Sequence, residues 1–326
     1  MPKFNFPNSA SLHTARHFFE SNFFFSGRGK TAVLSFHPQW SHMEPFALTM
    51  AAAWGAWCRR NGYSLRAENL GHRSSLYAYR MKLFEHIDVE FSPEIQEHEE
   101  AGRFVPVTRI SDARSLRLVI GDISALLHLD DDPDTLAAVQ YCVSELLRNV
   151  LEHSGAEDGA YVCAHNFTTT DPNRVSIAVA DCGQGIREHL GSVHTGAARS
   201  DRDAVTLALR PGITGARPGM YGTPDNAGAG LFITRSIAKG SGGYFLLVSG
   251  QAGYRLMRAN HPEEQSILME DPKLERHNLW DFAHPWLGTV VALEIRTDHI
   301  GDFEGYFDWI GKHIRRRSAT RTIKFT

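Results

Sequence analysis

A carboxylate and a carboxamide four residues apart, Glu145 and Asn149, are residues whose types and spacing could do chemistry. They fall in a segment with helical periodicity, so they would lie one above the other on a single helix face. Two such side chains near a helix end suit a pocket that holds a hydrated magnesium ion and polarises a nucleophile. The alternative is an ordinary pair on a solvated helix face, and this stretch alone leaves both interpretations open.

The helix that must carry this pair has a recognisable beginning and a packing face. Residues 130–134 supply an aspartate cap, a proline in the first turn and acidic charge at the positive end of the helix dipole. Apolar side chains then recur every three or four positions, which indicates a face that packs against a core. These side chains are Leu136, Val139, Val143, Leu146, Leu147 and Val150.

Two glycine-containing turns follow this helix along the chain. Residues 175–180 are typical of a buried strand, and the sequence Asp-Cys-Gly-Gln-Gly comes directly after them at residues 181–185. Further on, residues 225–233 begin a second helical segment and contain a Gly-Ala-Gly-Leu sequence. Glycines let a backbone approach a ligand closely, and a helix N-terminus offers free N–H groups to phosphate. Both turns are therefore candidate binding elements.

The three motifs, in this order and on these elements, resemble the GHKL, or histidine kinase-like, ATP-binding superfamily. The motifs are E-x-x-x-N on a helix, D-x-G-x-G after a strand and G-x-G-L at a helix start. The chain looks closest to histidine-kinase catalytic domains and anti-sigma-factor serine kinases, and the resemblance covers roughly residues 115–298. It implies an α/β fold (an α+β sandwich), with a Bergerat-type ATP-binding domain whose mixed β-sheet is covered by helices and which follows a smaller α/β domain.

The resemblance also implies ATP and Mg²⁺ as cofactors and assigns roles to single residues. Asn149 would ligate Mg²⁺, and Glu145 would be the catalytic group that accepts a proton from water or from a substrate hydroxyl. Asp181 would accept a hydrogen bond from the adenine amino group, and Thr289 would support Asp181 through water.

Glycines complete the implied nucleotide site. Gly183 and Gly185 would form the turn beneath the base, and Gly228 and Gly230, which precede Leu231, would let a lid close over phosphate.

That lid is expected within residues 187–227, a long stretch with little periodicity and a short helix near residues 202–209. Its candidate phosphate contacts are Arg199, Arg202, Arg210 and Arg217. Arg148 and His153 could also touch phosphate or substrate, although structural roles are favoured for both.

The length of the chain and the patterns along it predict two domains and a tail. At 326 residues the chain exceeds the usual size of one domain. Residues 1–110 are expected to form a small α/β N-terminal module, whose topology vaguely resembles the STAS-type modules that accompany anti-sigma kinases. Residues 111–300 form the expected ATP-binding domain, and residues 301–326 an amphipathic helix followed by a basic tail.

Composition and charge favour a cytoplasmic protein. A hydrophobic content of 42% and a charged content of 22% are typical of globular proteins. The longest nearly apolar run, residues 46–58, is too short to span a bilayer, and no signal sequence is recognisable, so we expect no membrane association. The four cysteines (Cys58, Cys142, Cys163 and Cys182) lack C-x-x-C spacing and are expected to be reduced thiols.

Three functions are compatible with these patterns. The leading hypothesis is transfer of the γ-phosphoryl group of ATP to a protein partner, in the manner of a serine kinase, or to water. The alternative is a non-catalytic, ATP-bound switch that presents its N-terminal module or its lid to a partner, and a homodimer stays open in both cases. A nucleic-acid partner is disfavoured, because the formal net charge is −3 and only the C-terminal tail is basic.

Overall fold

The first part of the fold contains a small parallel sheet. The computed structural model describes residues 1–22, 24–25, 29–94, 103–126, 133–167, 173–194, 196–213, 230–261 and 269–296. The strands of this part are β1 (Lys3–Phe6), β2 (Ser9–Ala10), β3 (Thr31–Phe36), β4 (His42–Met43) and β5 (Ser64–Glu68), and its helices are α1 (Ala15–Glu20), α2 (Pro45–Arg60), α3 (Arg73–Arg80) and α4 (Leu83–Ile87). Strands β1, β3 and β5 form a parallel sheet in that order, and β2 pairs with β4. Parallel neighbours need a crossover connection, which α2 supplies between β3 and β5.

A second, five-stranded sheet follows. Its strands are β6 (Phe104–Ile110), β7 (Ala160–Phe167), β8 (Arg174–Asp181), β9 (Phe245–Leu256) and β10 (His277–Arg296). The helices of this part are α5 (Ala113–Leu126), α6 (Pro133–His153), α7 (Gly185–Gly191), α8 (Asp201–Ala208) and α9 (Gly230–Gly240), and Pro272–Leu274 forms a 3-10 turn. None of the helices among the described residues is long and apolar enough to cross a bilayer.

The five strands lie in the order β6-β7-β8-β10-β9, and each neighbouring pair is antiparallel. This differs from the expected mixed sheet for two reasons. Two helices rather than one connect β6 to β7, so the chain returns in the opposite direction. Strands β8 and β9 do run in the same direction, but β10 lies between them.

The two faces of the five-stranded sheet are both buried. Along β8 the side chains alternate, so that Ile177 and Val179 join the core formed with α5, α6 and α9, while Ala178 and Ala180 point the opposite way. On that opposite face α2 packs against β7 and β8. One continuous hydrophobic core therefore joins the N-terminal part to the sheet.

Helix α2 lies between the two sheets, and its sequence is accordingly apolar on all sides. All of its residues from Pro45 to Ala56 are buried, because the parallel sheet covers one side and the five-stranded sheet the other. The expected domain boundary at residue 110 stays a prediction. Strand β6, which precedes that boundary, pairs with β7 as an edge strand of the second sheet.

The hairpin of β9 and β10 is sharply bent. The guanidinium of Arg258, just after β9, lies 4.7 Å from the ring centre of Tyr244, just before it. A straight strand would separate these residues by about 45 Å, so the hairpin doubles back. Two register shifts on β10, on either side of Trp286, mark the bend. Strand β9 continues through the bend, and β10 includes residues 277–286.

Buried ion pairs fix the N-terminal part to the sheet. The carboxylate of Glu44 accepts hydrogen bonds from the backbone N–H of Leu12 (2.7 Å) and from Arg174 on β8 (3.1 Å). Arg174 also binds Glu294 on β10 at 2.5 Å, and Arg255 on β9 donates to the carbonyl oxygen of Leu12 at 2.8 Å. Because the charges of Glu44, Arg174 and Glu294 are paired and hydrogen-bonded, their burial is compatible with a stable interface.

The packing of α2 predicts opposite effects for one substitution at two helix-interior glycines. A β-carbon added to Gly55 would overlap the side chain of Ile87 on α4, whereas one added to Gly121 on α5 would meet nothing within 4 Å. Gly55→Ala should lower the free energy of unfolding by about 1–2 kcal/mol, and Gly121→Ala should raise it by up to about 1 kcal/mol. Urea denaturation measures both values. Equal effects of the two substitutions would contradict the close approach of α2 and α4.

Candidate active site

Glu145 and Asn149 lie on α6 where the N-terminus of α9 meets it. A β-carbon added to Gly230, the first residue of α9, would overlap Oε2 of Glu145 and would lie 3.5 Å from Nδ2 of Asn149. A larger residue at this position would force the carboxylate of Glu145 to move. The Nδ2 atom of Asn149 is buried and has no hydrogen-bond partner among the described residues. Three of the predicted site residues therefore converge, and the amide nitrogen of Asn149 keeps an unused hydrogen-bond donor there among the described residues.

The carboxylate of Glu145 has two different oxygens. Oε1 accepts a hydrogen bond from Arg148, one turn along α6, at 3.0 Å, while Oε2 faces Gly230. Burial raises the pKa of Glu145 above its usual value, and the positive charge of Arg148 partly opposes that rise. A base held in this way keeps one oxygen directed at the space beside α9. Arg148 thus contacts Glu145, as a structural role would require.

Asp181, the last residue of β8, is completely buried. Its Oδ1 accepts a hydrogen bond from the backbone N–H of Gly183 at 2.8 Å, and the backbone N–H of Thr289 also donates to the carboxylate. Its Oδ2 has no hydrogen-bond partner in the described part of the chain. Burial raises the pKa of Asp181 to about 7, although the two N–H groups act in the opposite direction. The two backbone N–H groups therefore bind the carboxylate but leave its Oδ2 as an acceptor without a donor among the described residues.

The space around this carboxylate depends on glycines. A β-carbon added to Gly183 would overlap the carbonyl oxygen of Ser154, and one added to Gly288 would lie 2.6 Å from Oδ1 of Asp181. Gly288 also has a φ of +93°, in the left-handed region that favours glycine. A side chain at either position would displace the turn that holds Asp181.

Ser249 on β9 is a structural residue that the sequence did not reveal. Its hydroxyl accepts from the backbone N–H of Ile186 (2.9 Å) and donates to the carbonyl oxygen of Gly288 (2.9 Å). It lies 3.0 Å from a β-carbon added to Gly185, so it connects the start of α7 to the stretch of β10 beside Asp181. No local motif marks Ser249, because its partners are distant in the sequence.

The predicted lid is partly a helix docked on the sheet. Helix α8 is tied to the bent hairpin, since Arg202 binds Asp281 through both oxygens (2.6–3.2 Å) and Arg210 binds Asp271 at 2.8 Å. These arginines are thus engaged in ion pairs, and Arg199 donates to the carbonyl oxygen of Gly196 at 3.0 Å. Arg217 and Gly228, as well as the tail at 301–326, lie outside the described residues.

Two other predicted positions are structural in their contacts. Leu231 is half-buried and packs against the core beneath α9. The ring of His153 at the end of α6 stacks on that of His189 on α7, with ring centres 4.4 Å apart. Burial and the neighbouring His153 lower the pKa of His189 to about 4, so this stacked pair is not expected to carry two charges at neutral pH.

The comparison with known protein families matches this geometry. The family described as the histidine kinase-like ATPase domain matches residues 108–240, which contain α6, the Asp181 turn and the start of α9. The chain contains a GHKL-type ATPase domain. Its Bergerat-type fold, in which helices cover a five-stranded antiparallel sheet, confirms the predicted fold class. No curated protein matches the chain significantly.

GHKL ATPase domains bind ATP, usually with Mg²⁺, and two unsatisfied groups of the site fit the nucleotide. The free acceptor on Asp181 suits an exocyclic amine, and the free amide of Asn149 suits a ligand beside the N-terminus of α9. Among the described residues no group of three or more His, Cys, Asp or Glu side chains could hold a metal. Mg²⁺ often takes most of its ligands from phosphates and water, so the side-chain oxygen of Asn149 as its single protein ligand is compatible with its chemistry.

The burial of Asp181 predicts a pH-dependent gain in stability on its neutralisation. Its pKa is about 7 in the folded protein against 3.8 for an exposed aspartate. Between these two pH values the folded state retains a proton that the unfolded state has lost. The stability of the wild type should therefore fall as the pH rises through this window. Asp181→Asn should be the more stable protein above pH 7, by up to about 4 kcal/mol, and the difference should shrink towards pH 4.

Denaturant midpoints between pH 4 and 8 measure this difference. Asp122→Asn on the exposed face of α5 controls for the loss of one carboxylate. A difference between Asp181→Asn and the wild type that does not change with pH would contradict the burial of an ionisable Asp181.

Proposed function

We propose that the chain is an Mg·ATP-dependent phosphotransferase or ATPase that passes the γ-phosphoryl group to a hydroxyl of a partner protein or to water. The observation that carries this proposal is the convergence of Glu145 Oε2 and Asn149 Nδ2 on Gly230. A base, an amide and a helix N-terminus meet at one point, which is the arrangement that positions and activates a nucleophile beside a phosphate. The family match over residues 108–240 supports ATP as the nucleotide.

Each side chain has a distinct task in this proposal. Glu145 would accept the proton of the attacking water or hydroxyl through Oε2, since Oε1 is engaged by Arg148. Asp181 would accept a hydrogen bond from the adenine amine through Oδ2, which would select adenine over guanine. The glycine at the start of α9 would let backbone N–H groups approach the phosphates.

Mg²⁺ held by Asn149 would neutralise the charge that develops on the phosphates during transfer. A serine or threonine of a partner protein is the acceptor that we favour, with water as the second acceptor. We also propose a cytoplasmic location, because all four cysteines are buried and unpaired, as expected of thiols in a reducing compartment.

The second candidate function is a non-catalytic switch that binds ATP and changes what its N-terminal part presents to a partner. Its support is the packing of α2 directly against β7 and β8, the latter of which ends in Asp181. A ligand at the turn would bias the N-terminal part only if its affinity differed between two arrangements of that part.

Single-turnover reactions with γ-labelled ATP test the catalytic proposal. Glu145→Gln removes the base and should slow formation of ADP by about 10²–10⁴-fold, the usual contribution of a general base. Asp122→Asn changes an exposed carboxylate on α5 and should react like the wild type. ATP bound tightly but unchanged over hours in the wild type would favour the switch instead. Equal rates in Glu145→Gln and the wild type would reject Glu145 as the base.

A further inference from the structure

Trp286 lies at the irregular point of β10, between its two register shifts, and is 1% exposed. Its indole Nε1–H donates a hydrogen bond to the backbone carbonyl oxygen of Asp181 at 3.0 Å. Buried tryptophans usually have a partner for this N–H, and here the partner is the residue whose carboxylate would bind the adenine amine in the proposed function. Trp286 therefore fixes the backbone of Asp181 through this hydrogen bond.

Two aromatic neighbours of the Trp286 ring come from the N-terminal part of the chain. The ring of Phe24 meets it edge-on, with ring centres 5.2 Å apart at 89°, and the ring of Phe25 lies at 5.2 Å. Phe25 in turn packs edge-on against Trp57 on α2 at 4.8 Å. A chain of aromatic contacts thus leads from α2 to the backbone of Asp181.

The irregularity of β10 also places the next two contacts with Asp181. Thr289, immediately after the second register shift, donates its backbone N–H to the carboxylate, and Gly288 packs against the same turn. Trp286, Gly288 and Thr289 therefore brace one residue from one short stretch. Because the stretch is short and both Trp286 and Gly288 are buried, a displacement of the indole would be transmitted to the donors that orient the carboxylate.

We propose that Trp286 is a positioning residue for recognition of the base, and that through it Phe24 and Phe25 make this recognition depend on the N-terminal part. The inference rests on the proposed ATP-binding function. Trp286 acts by fixing Asp181 and not by contact with the nucleotide. Its effect should therefore be confined to ligands whose base carries an amine.

The strand offers a matched control in Trp280. It is a second buried tryptophan of β10, 3% exposed, but its Nε1 has no hydrogen-bond partner among the described residues. Trp286→Phe and Trp280→Phe make the same change in volume on the same strand. Only the first removes a hydrogen bond to Asp181.

Calorimetric titration with Mg·ATP and with the triphosphate of purine riboside, which lacks the exocyclic amine, tests the proposal on the full chain. Trp286→Phe should weaken ATP binding about tenfold, the effect of losing one hydrogen bond to a buried carbonyl. It should leave the affinity for the amine-free analogue unchanged. Trp280→Phe should leave both affinities unchanged, and Trp286→Phe should add nothing in an Asp181→Asn background.

A second variant tests the link to the N-terminal part. Phe25→Leu removes part of the aromatic contact on the far side of the indole. It should reduce the ratio of the affinity for ATP to the affinity for the amine-free analogue, as Trp286→Phe does, but by a smaller factor. Equal losses for both nucleotides in Trp286→Phe would show a merely structural role and overturn the proposal. An unchanged ratio in Phe25→Leu would overturn the dependence on the N-terminal part. Binding of neither nucleotide by the wild type would overturn the proposed function itself.

Discussion

The complete removal of one carboxylate, Asp181, from water is the interaction on which the site depends. An ionised carboxylate in such a place is unfavourable unless donors surround it. The protein provides two backbone N–H groups, from Gly183 and Thr289, and leaves Oδ2 without a donor among the described residues. A ligand that donates to Oδ2 would complete the hydrogen bonds of the carboxylate. The same burial that destabilises the free protein therefore makes the position selective for a donor.

Meeting this constraint explains several otherwise unrelated features of the fold. The bend in the β9–β10 hairpin brings Thr289 and Trp286 to the end of β8. Glycines occur where the turn touches neighbouring backbone, as at Gly288. The face of the sheet behind Asp181 is covered by α2 and the N-terminal aromatics rather than by water. The N-terminal part is therefore part of the wall behind the candidate site, whichever boundary separates it as a domain.

The sequence predicted the local features of the site and missed the long-range ones. Spacing alone placed Glu145 and Asn149 on one helix face, because helical periodicity is a property of neighbouring residues. Glycine spacing likewise located the turns of Gly183 and Gly230. Ser249 and Trp286 could not be found in this way, since each acts through a contact with a residue far away in the sequence. The ion pairs of Arg202 and Arg210 with the hairpin were unpredictable for the same reason.

The strand order could not be read from the sequence either. Whether β8 and β9 pair directly, as in a mixed sheet, or admit β10 between them depends on contacts across the whole sheet. Local patterns define strands but not their neighbours. The bend of the hairpin likewise depends on residues that are far apart in the sequence, since Arg258 contacts Tyr244 across it.

Counting the protons released when Mg·ATP binds is the most direct test of whether Asp181 binds the base. The pKa of Asp181 is about 7 in the free protein, and a hydrogen bond from the adenine amine favours the ionised carboxylate. Calorimetry at pH 7 in buffers of different ionisation enthalpy should therefore detect release of about half a proton by the wild type, and less by Asp181→Asn. Proton uptake, or the same release from both proteins, would contradict the claim that Asp181 binds the base.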